Sequence, residues 1–280
     1  MAIRGWISYW WLPVISGLVW LGMLLGMLLH WIINENSRRY PGMTDGQTIA
    51  YISDIGADEL QPLFIAGSVV TTVFLDLSFA AERWLRHNGR LAPNGTTMEK
   101  VLAILSIIFA LIGTAGLILL SIFDTNNYNR LHNIFLLCFI AGYLLSAIFI
   151  CWEYGRLGLN NRHFRVLRIS FWMKLTFVLV ELCLAIAFAA TTFSDLTNVG
   201  AILEWVVSLI FTLYAISFYV DLAPAVKTKS RTRRFVKPSE YAMEEGAASN
   251  PLYNNGNSNY HNGGPHYYNG DSNRSHPTNF

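Results

Sequence analysis

Charge is scarce in this chain. Only 14% of its 280 residues are Asp, Glu, Lys or Arg, against 53% hydrophobic ones. Soluble domains average about 25% charged residues. The shortage is also local, because almost all Lys and Arg fall between long apolar runs. That excludes an ordinary soluble core and points to a polytopic membrane protein. Cysteine is scarce too: Cys138, Cys151 and Cys183 all sit inside apolar runs, where none is placed to staple an external loop. A disulfide framework is therefore not expected, and small packing residues are. Catalytic signatures are missing as well, with no HxxxD, CxxC, Gly-x-Ser-x-Gly or phosphate loop. His30 with Asp54, Asp58 and Glu59 offers one imidazole and irregularly spaced acids, a poor metal set. No enzyme, cofactor, metal or nucleic-acid partner is expected. The first apolar run is too long for a signal-peptide core and no small-residue cleavage site follows it, so it reads as a permanent span.

What is present is a series of spans. The apolar runs cover about 11–33, 63–81, 102–122, 134–152, 171–192 and 199–220. At 1.5 Å per residue the first reaches ~35 Å, enough to cross a hydrocarbon core of about 30 Å. The expected fold is an all-α six-transmembrane-helix bundle over residues 1–222. Trp6-Ile-Ser-Tyr-Trp10 supplies interfacial aromatics before the first span. Gly22 and Gly26 form a small-x-x-x-small pair within it, expected to pack against another helix of the same chain.

The distribution of bases orients the spans. Arg83, Arg86, Arg90 and Lys100 follow the second span, and Arg156, Arg162, Arg165 and Arg168 follow the fourth. The first, third and fifth connections hold only Arg38, Arg39 and Arg130. By the positive-inside rule both termini are predicted cytosolic. The sequons at Asn94 and Asn273 then face the cytosol and are expected to be unmodified. Residues 223–280 read as a disordered cytosolic tail, rich in Asn, Gly, Ser and Tyr. The tail begins with a basic juxtamembrane cluster of Lys227, Lys229, Arg231, Arg233, Arg234 and Lys237. Such a cluster acts as a topology determinant and attracts anionic inner-leaflet lipid at about 1 kcal/mol per base. Asn250-Pro-Leu-Tyr253 fits an Asn-Pro-x-Tyr sorting signal.

Four ionisable residues lie at membrane depth: Asp76, Lys174, Glu181 and Glu204. Each is costly there and needs an explanation. Lys174 can snorkel to the interface on its long stem, and an Asp76–Lys174 ion pair is open to the two if their helices touch. Two readings stand: a structural ion pair with a protonated or hydrogen-bonded Glu, which is favoured, or a polar pathway for an ion or lipid headgroup.

Between the first two spans lies Tyr51-Ile-Ser-Asp-Ile-Gly-Ala57. Here the chain resembles the damage-regulated autophagy modulator (DRAM) superfamily, whose hallmark is a Tyr-Ile-Ser-Asp-x-Gly segment in the first external loop of a six-span protein. Tyr51, Ile52, Ser53, Asp54 and Gly56 carry the match. Supporting stretches are Ser8–Pro13, Leu75–Trp84, Phe123–Thr125, Arg130–His132 and Phe149–Tyr154. With its Asn/Gly-rich tail the chain is most similar to the fungal suppressor-of-four-kinase group. The resemblance implies a non-enzymatic plasma-membrane protein. It would support a phosphatidylinositol 4-kinase complex, phosphoinositide signalling and the transbilayer organisation of phosphatidylserine and sterol. Two rivals come from other branches: a vacuolar or lysosomal autophagy modulator, and a lipid-remodelling enzyme or transporter of the GPI-remodelling type, in which endoplasmic reticulum membrane is the alternative location. Gly56 is expected to permit a turn and Asp54 to accept backbone N–H groups, making this loop a lid over the outer end of the bundle. An outer-leaflet lipid contact is the sharper alternative.

Overall fold

A computed structural model of the chain describes residues 8–160, 165–192, 194 and 196–227, and among them every regular element is helical. Helix α1 (Trp11–Leu29) ends in a π-helical turn, His30–Asn34. It is followed by the one-turn α2 (Ile52–Ile55), then α3 (Gln61–His87), α4 (Thr97–Ile122), α5 (Thr125–Asn160), α6 (Arg165–Thr192), α7 (Thr197–Leu222) and α8 (Pro224–Lys227). Six of these are long and apolar enough to cross a membrane. They outrun the purely apolar stretches: α3 goes on through Glu82, Arg83 and Arg86 to His87, and α5 through Glu153 and Arg156 to Asn160. A helix satisfies its own backbone, so it can continue past the hydrocarbon into the headgroup layer. Lys229, Arg231, Arg233, Arg234, Lys237 and Asn250–Tyr253 lie outside the described residues, and Lys227 is the last residue of α8.

The helices form a closed ring. Helix α1 packs on α3 and α7, α3 on α4, α4 on α5, α5 on α6, and α6 on α7. An aromatic column fills the middle. Phe211 meets Trp20, Phe139 and Tyr143 at centroid distances of 5.8, 5.8 and 5.2 Å. Below it Phe218 meets Tyr214 and Phe79 at 5.1 and 4.9 Å. In lipid, where apolar surfaces gain little by leaving the tails, such interlocking contact and small-residue approach hold helices together. The closest approach is that of α4 and α5. A Cβ on Gly142 would stand 2.5 Å from the Gly113 backbone nitrogen, and one on Gly116 would stand 2.5 Å from that of Phe139. Gly22 and Gly26 do not serve this way: Gly22 has nothing within 4 Å, and Gly26 has only the Leu63 side chain at 3.7 Å. The pair faces outward because Met23, Leu24 and Met27 turn the other side of α1 into the ring. Helix α6 sits on the rim, with 11% of its apolar window buried against 39–44% for the other five.

Candidate functional site

Two polar assemblies close the two ends of the ring. The first is built on Tyr51–Gly56. Tyr51 has extended backbone and starts α2, and the Asp54 carboxylate reaches back to accept the Tyr51 N–H at 3.0 Å. It also accepts from the Gln47 amide at 3.0 Å. Helix α7 supplies the rest of the clamp. Glu204 accepts the Ile52 N–H at 2.7 Å, and Trp205 donates its indole N–H to the Ala50 carbonyl at 3.0 Å. Asn198 accepts from the backbone N–H groups of Thr48 and Ile49 at 2.7 and 3.0 Å. Gly200 leaves room for the Tyr51 hydroxyl, which would lie 2.3 Å from a Cβ there. Burial raises the Asp54 carboxyl above its ordinary range, against the pull of the hydrogen bonds from Tyr51 and Gln47. Burial, with the Glu204 and Asp54 carboxyls, pushes the Tyr51 phenol up to about 12. Gly56 has φ −73°, an ordinary helical value, so it is not a left-handed turn. Its lack of a side chain lets Phe64 approach, whose ring would come within 2.5 Å of a Cβ.

At the same end Asp124 caps α5 by accepting the Asn127 N–H at 2.7 Å. Its own burial works against the charge, but the Asn127 side chain and backbone outweigh that and hold its pKa low. His132 turns Nδ1 toward the carbonyls of Leu120 and Phe123 at 3.0 and 2.9 Å. Carbonyls only accept, so Nδ1 carries the proton and satisfies carbonyls that α4 leaves open at its end. Phe123–Thr125 and Arg130–His132 are thus two halves of one helix corner.

The opposite end holds a buried charge network. Glu82 accepts from Arg86 Nε and Nη2 at 3.0 and 2.7 Å and from the Tyr154 hydroxyl at 2.5 Å. Arg86 also ties the Ala92 carbonyl at 2.8 Å, holding the α3–α4 connection. Arg83 pairs with Glu153, which also accepts from Asn94 at 2.9 Å. Lys174 pairs with Asp221, which in turn accepts from Ser170. The Lys174 ammonium lies 4.0 Å from the Phe218 ring centroid and 4.9 Å from that of Tyr154. Three cations therefore meet three anions, each pair joining or stiffening helices. Glu99 completes a capping box on α4, accepting from Thr96 and Gly95 N–H groups at 3.1 and 2.8 Å and from Asn160 at 2.7 Å.

The intramembrane candidates separate accordingly. Asp76 accepts from Thr114 at 2.9 Å and Lys174 belongs to Asp221, so the two do not pair. Nor does Lys174 snorkel; it is fully buried, because its counter-ion stands on the neighbouring helix α7. Glu204 belongs to the Tyr51 assembly. Glu181 lines a cavity of about 50 Å3 between α5, α6 and α7, and its Oε1 has no hydrogen-bond partner among the described residues. All three cysteines are free. Among the described residues no three His, Cys, Asp or Glu side chains gather as a metal site. Sequence reasoning missed the charge network, although Glu82-x-x-x-Arg86 is a helical ion-pair spacing and Thr96-x-x-Glu99 a capping-box signature. It also ended the last span at 220, one residue short of Asp221.

Apart from Ser8–Pro13, the stretches quoted for the resemblance contribute to these assemblies, and the Frag1/DRAM/Sfk1/Cwh43P N-terminal domain model matches residues 8–225. The chain belongs to this family. Among its relatives, protein sfk1 of Schizosaccharomyces pombe is 29% identical over 214 residues, covering 76% of this chain and 63% of the relative. Protein SFK1 of Saccharomyces cerevisiae is 30% identical over 181 residues, covering 54% of this chain and 50% of the relative. The chain thus spans between half and two thirds of the length of these relatives. No solved structure matches it significantly.

Proposed function

We propose that this family member is a non-enzymatic, multi-pass protein of the plasma membrane. In this reading it supports phosphatidylinositol 4-kinase function, phosphoinositide signalling and the transbilayer organisation of phosphatidylserine and sterol. Its partners are membrane lipids and the kinase complex. One observation supports the non-enzymatic part: most of the buried charged side chains at the two ends of the ring are engaged with one another or with backbone. Asp54, Glu204 and His132 hold backbone at one end, and Glu82, Arg86, Glu153, Lys174 and Asp221 hold helices at the other. Groups matched in this way build a scaffold with two fixed ends. The similarity to the two yeast Sfk1 proteins supports the kinase link, and the charge count supports placing both termini in the cytosol. In that orientation Tyr51–Gly56 is an outer lid, and the bases Lys227, Lys229, Arg231, Arg233, Arg234 and Lys237 present charge to the inner leaflet or the kinase scaffold.

Deleting the protein and imaging a phosphatidylinositol 4-phosphate reporter, with a tagged copy located in the same cells, tests the reading. The expected result is a plasma-membrane copy and a reduced reporter signal, with a further loss when the six tail bases are neutralised. A copy confined to the vacuole with unchanged phosphoinositide would favour the autophagy-modulator branch. Turnover of a lipid by the purified protein in liposomes would overturn the non-enzymatic reading.

A further inference from the structure

The facing walls of α5 and α6, near the end that carries the charge network, enclose a groove of about 670 Å3. That volume is in the range of pockets that hold a small ligand, whereas two further cavities, at about 50 and 30 Å3, have room for little more than water. Two residue types line it in matched rungs. Arg156 stands on α5 and Arg168 on α6. Trp152 and Trp172 stand four residues deeper along each wall, on the same faces as the two arginines. Four residues of helix is about 6 Å, so a charged rung lies one turn outside an aromatic rung. Phe171 and Gly158 also line it, and a Cβ on Gly158 would meet nothing within 4 Å.

The arginines here differ from those of the buried charge network. Arg83 and Arg86 are spent on carboxylates, but neither Arg156 nor Arg168 has a hydrogen-bond or ion-pair partner among the described residues. Arg156 is half-buried with its Nε inside, and Arg168 is exposed. Trp152 and Trp172 remain 50% and 61% exposed on helices long and apolar enough to span a bilayer. Indole rings favour the carbonyl and glycerol depth of a bilayer, and guanidinium forks bind phosphate oxygens in pairs. Two unmatched guanidinium groups outside two exposed indoles reproduce the polarity profile of one amphiphile, with its phosphate outward and its acyl chains inward.

We propose that this groove binds an anionic glycerophospholipid, with Arg156 and Arg168 on the phosphate and Trp152 and Trp172 against the glycerol and upper acyl segments. The site uses none of the tail bases and does not depend on the kinase reading.

The test is retention of labelled phosphatidylserine by the full-length protein purified in detergent, against phosphatidylcholine and against glycerophosphoserine, which has the headgroup without chains. Arg156→Gln with Arg168→Gln should lower phosphatidylserine retention on the order of tenfold. Lys100→Gln with Arg130→Gln, which also removes two exposed charges, should leave it unchanged. Gly158→Phe, which fills the groove without touching the fold, should lower it independently. Equal retention of phosphatidylcholine, an equal loss in the control variant, or unchanged retention in both groove variants would overturn the proposal. So would displacement by glycerophosphoserine as effective as by the lipid, since that would mark a simple anion site.

Discussion

Breaking the Lys174–Asp221 pair gives the sharpest measure of what the charge network does. The Lys174 ammonium is fully buried, with one carboxylate and two aromatic faces around it. Asp221→Asn keeps the shape of the acid but leaves that ammonium to the Phe218 and Tyr154 rings. Lys174→Met keeps most of the volume of the base but leaves a buried carboxylate with only the Ser170 hydroxyl. Stranding one partner of a buried pair costs about 3–5 kcal/mol, whereas removing both charges together is often close to neutral. At about 2–4 °C per kcal/mol for a domain of this size, each single variant should melt roughly 6–20 °C below the wild type. The Lys174→Met/Asp221→Asn double variant should melt above either single one. Thermal unfolding in detergent, followed by intrinsic fluorescence, completes the cycle. Losses below about 1 kcal/mol in the singles, or additive losses in the double, would refute the pairing. Asp76→Asn should add independently to Lys174→Met, because Asp76 is bound to Thr114.

Other outcomes follow from the same geometry. Gly142→Val should abolish recovery of monodisperse protein in size-exclusion chromatography, because its Cβ would stand 2.5 Å from the Gly113 backbone, whereas Gly22→Val should be tolerated. Burial raises Asp54 above its unfolded value, so the folded state holds that proton more tightly. Its contribution is therefore full at acid pH and is lost as pH rises through the folded value. Melting temperature against pH should fall across that window in the wild type more than in Asp54→Asn, with Glu204, Tyr51 and His132 present in both; parallel profiles would refute it. Asn94 spends its amide on Glu153, in a connection that the charge count places in the cytosol, so glycosidase treatment should leave the mobility of the protein unchanged; a shift would invert the topology.

Membership of the ring was legible in the sequence, and partnership was not. Six apolar runs announce six spanning helices because a bilayer demands about 20 apolar residues and satisfied backbone, both local requirements. The Tyr51–Gly56 segment could be picked out, and so could the carboxylate of Asp54 as a backbone acceptor. That Glu204, more than 150 positions along the chain, completes the same clamp depends on where α7 stands. The glycines show the same division. Gly22 and Gly26 have the spacing of a packing motif, yet Gly113, Gly116 and Gly142 make the contact, because spacing does not say which face of a helix turns inward.

The buried charges were the hardest to read. Hydropathy alone makes Lys174 a cost to be explained, and Asp76 at similar depth looked like its remedy. The closed order of the helices puts α7 beside α6, so Asp221 becomes the counter-ion and Asp76 turns to Thr114. The sequence by itself determined how many spanning helices there are, roughly where each crosses and which connections are rich in bases, since each rests on the solvent a segment must meet. Only the tertiary structure decided which charge meets which, because an ion pair in a low-dielectric interior depends on a few ångströms of distance between residues far apart in the chain.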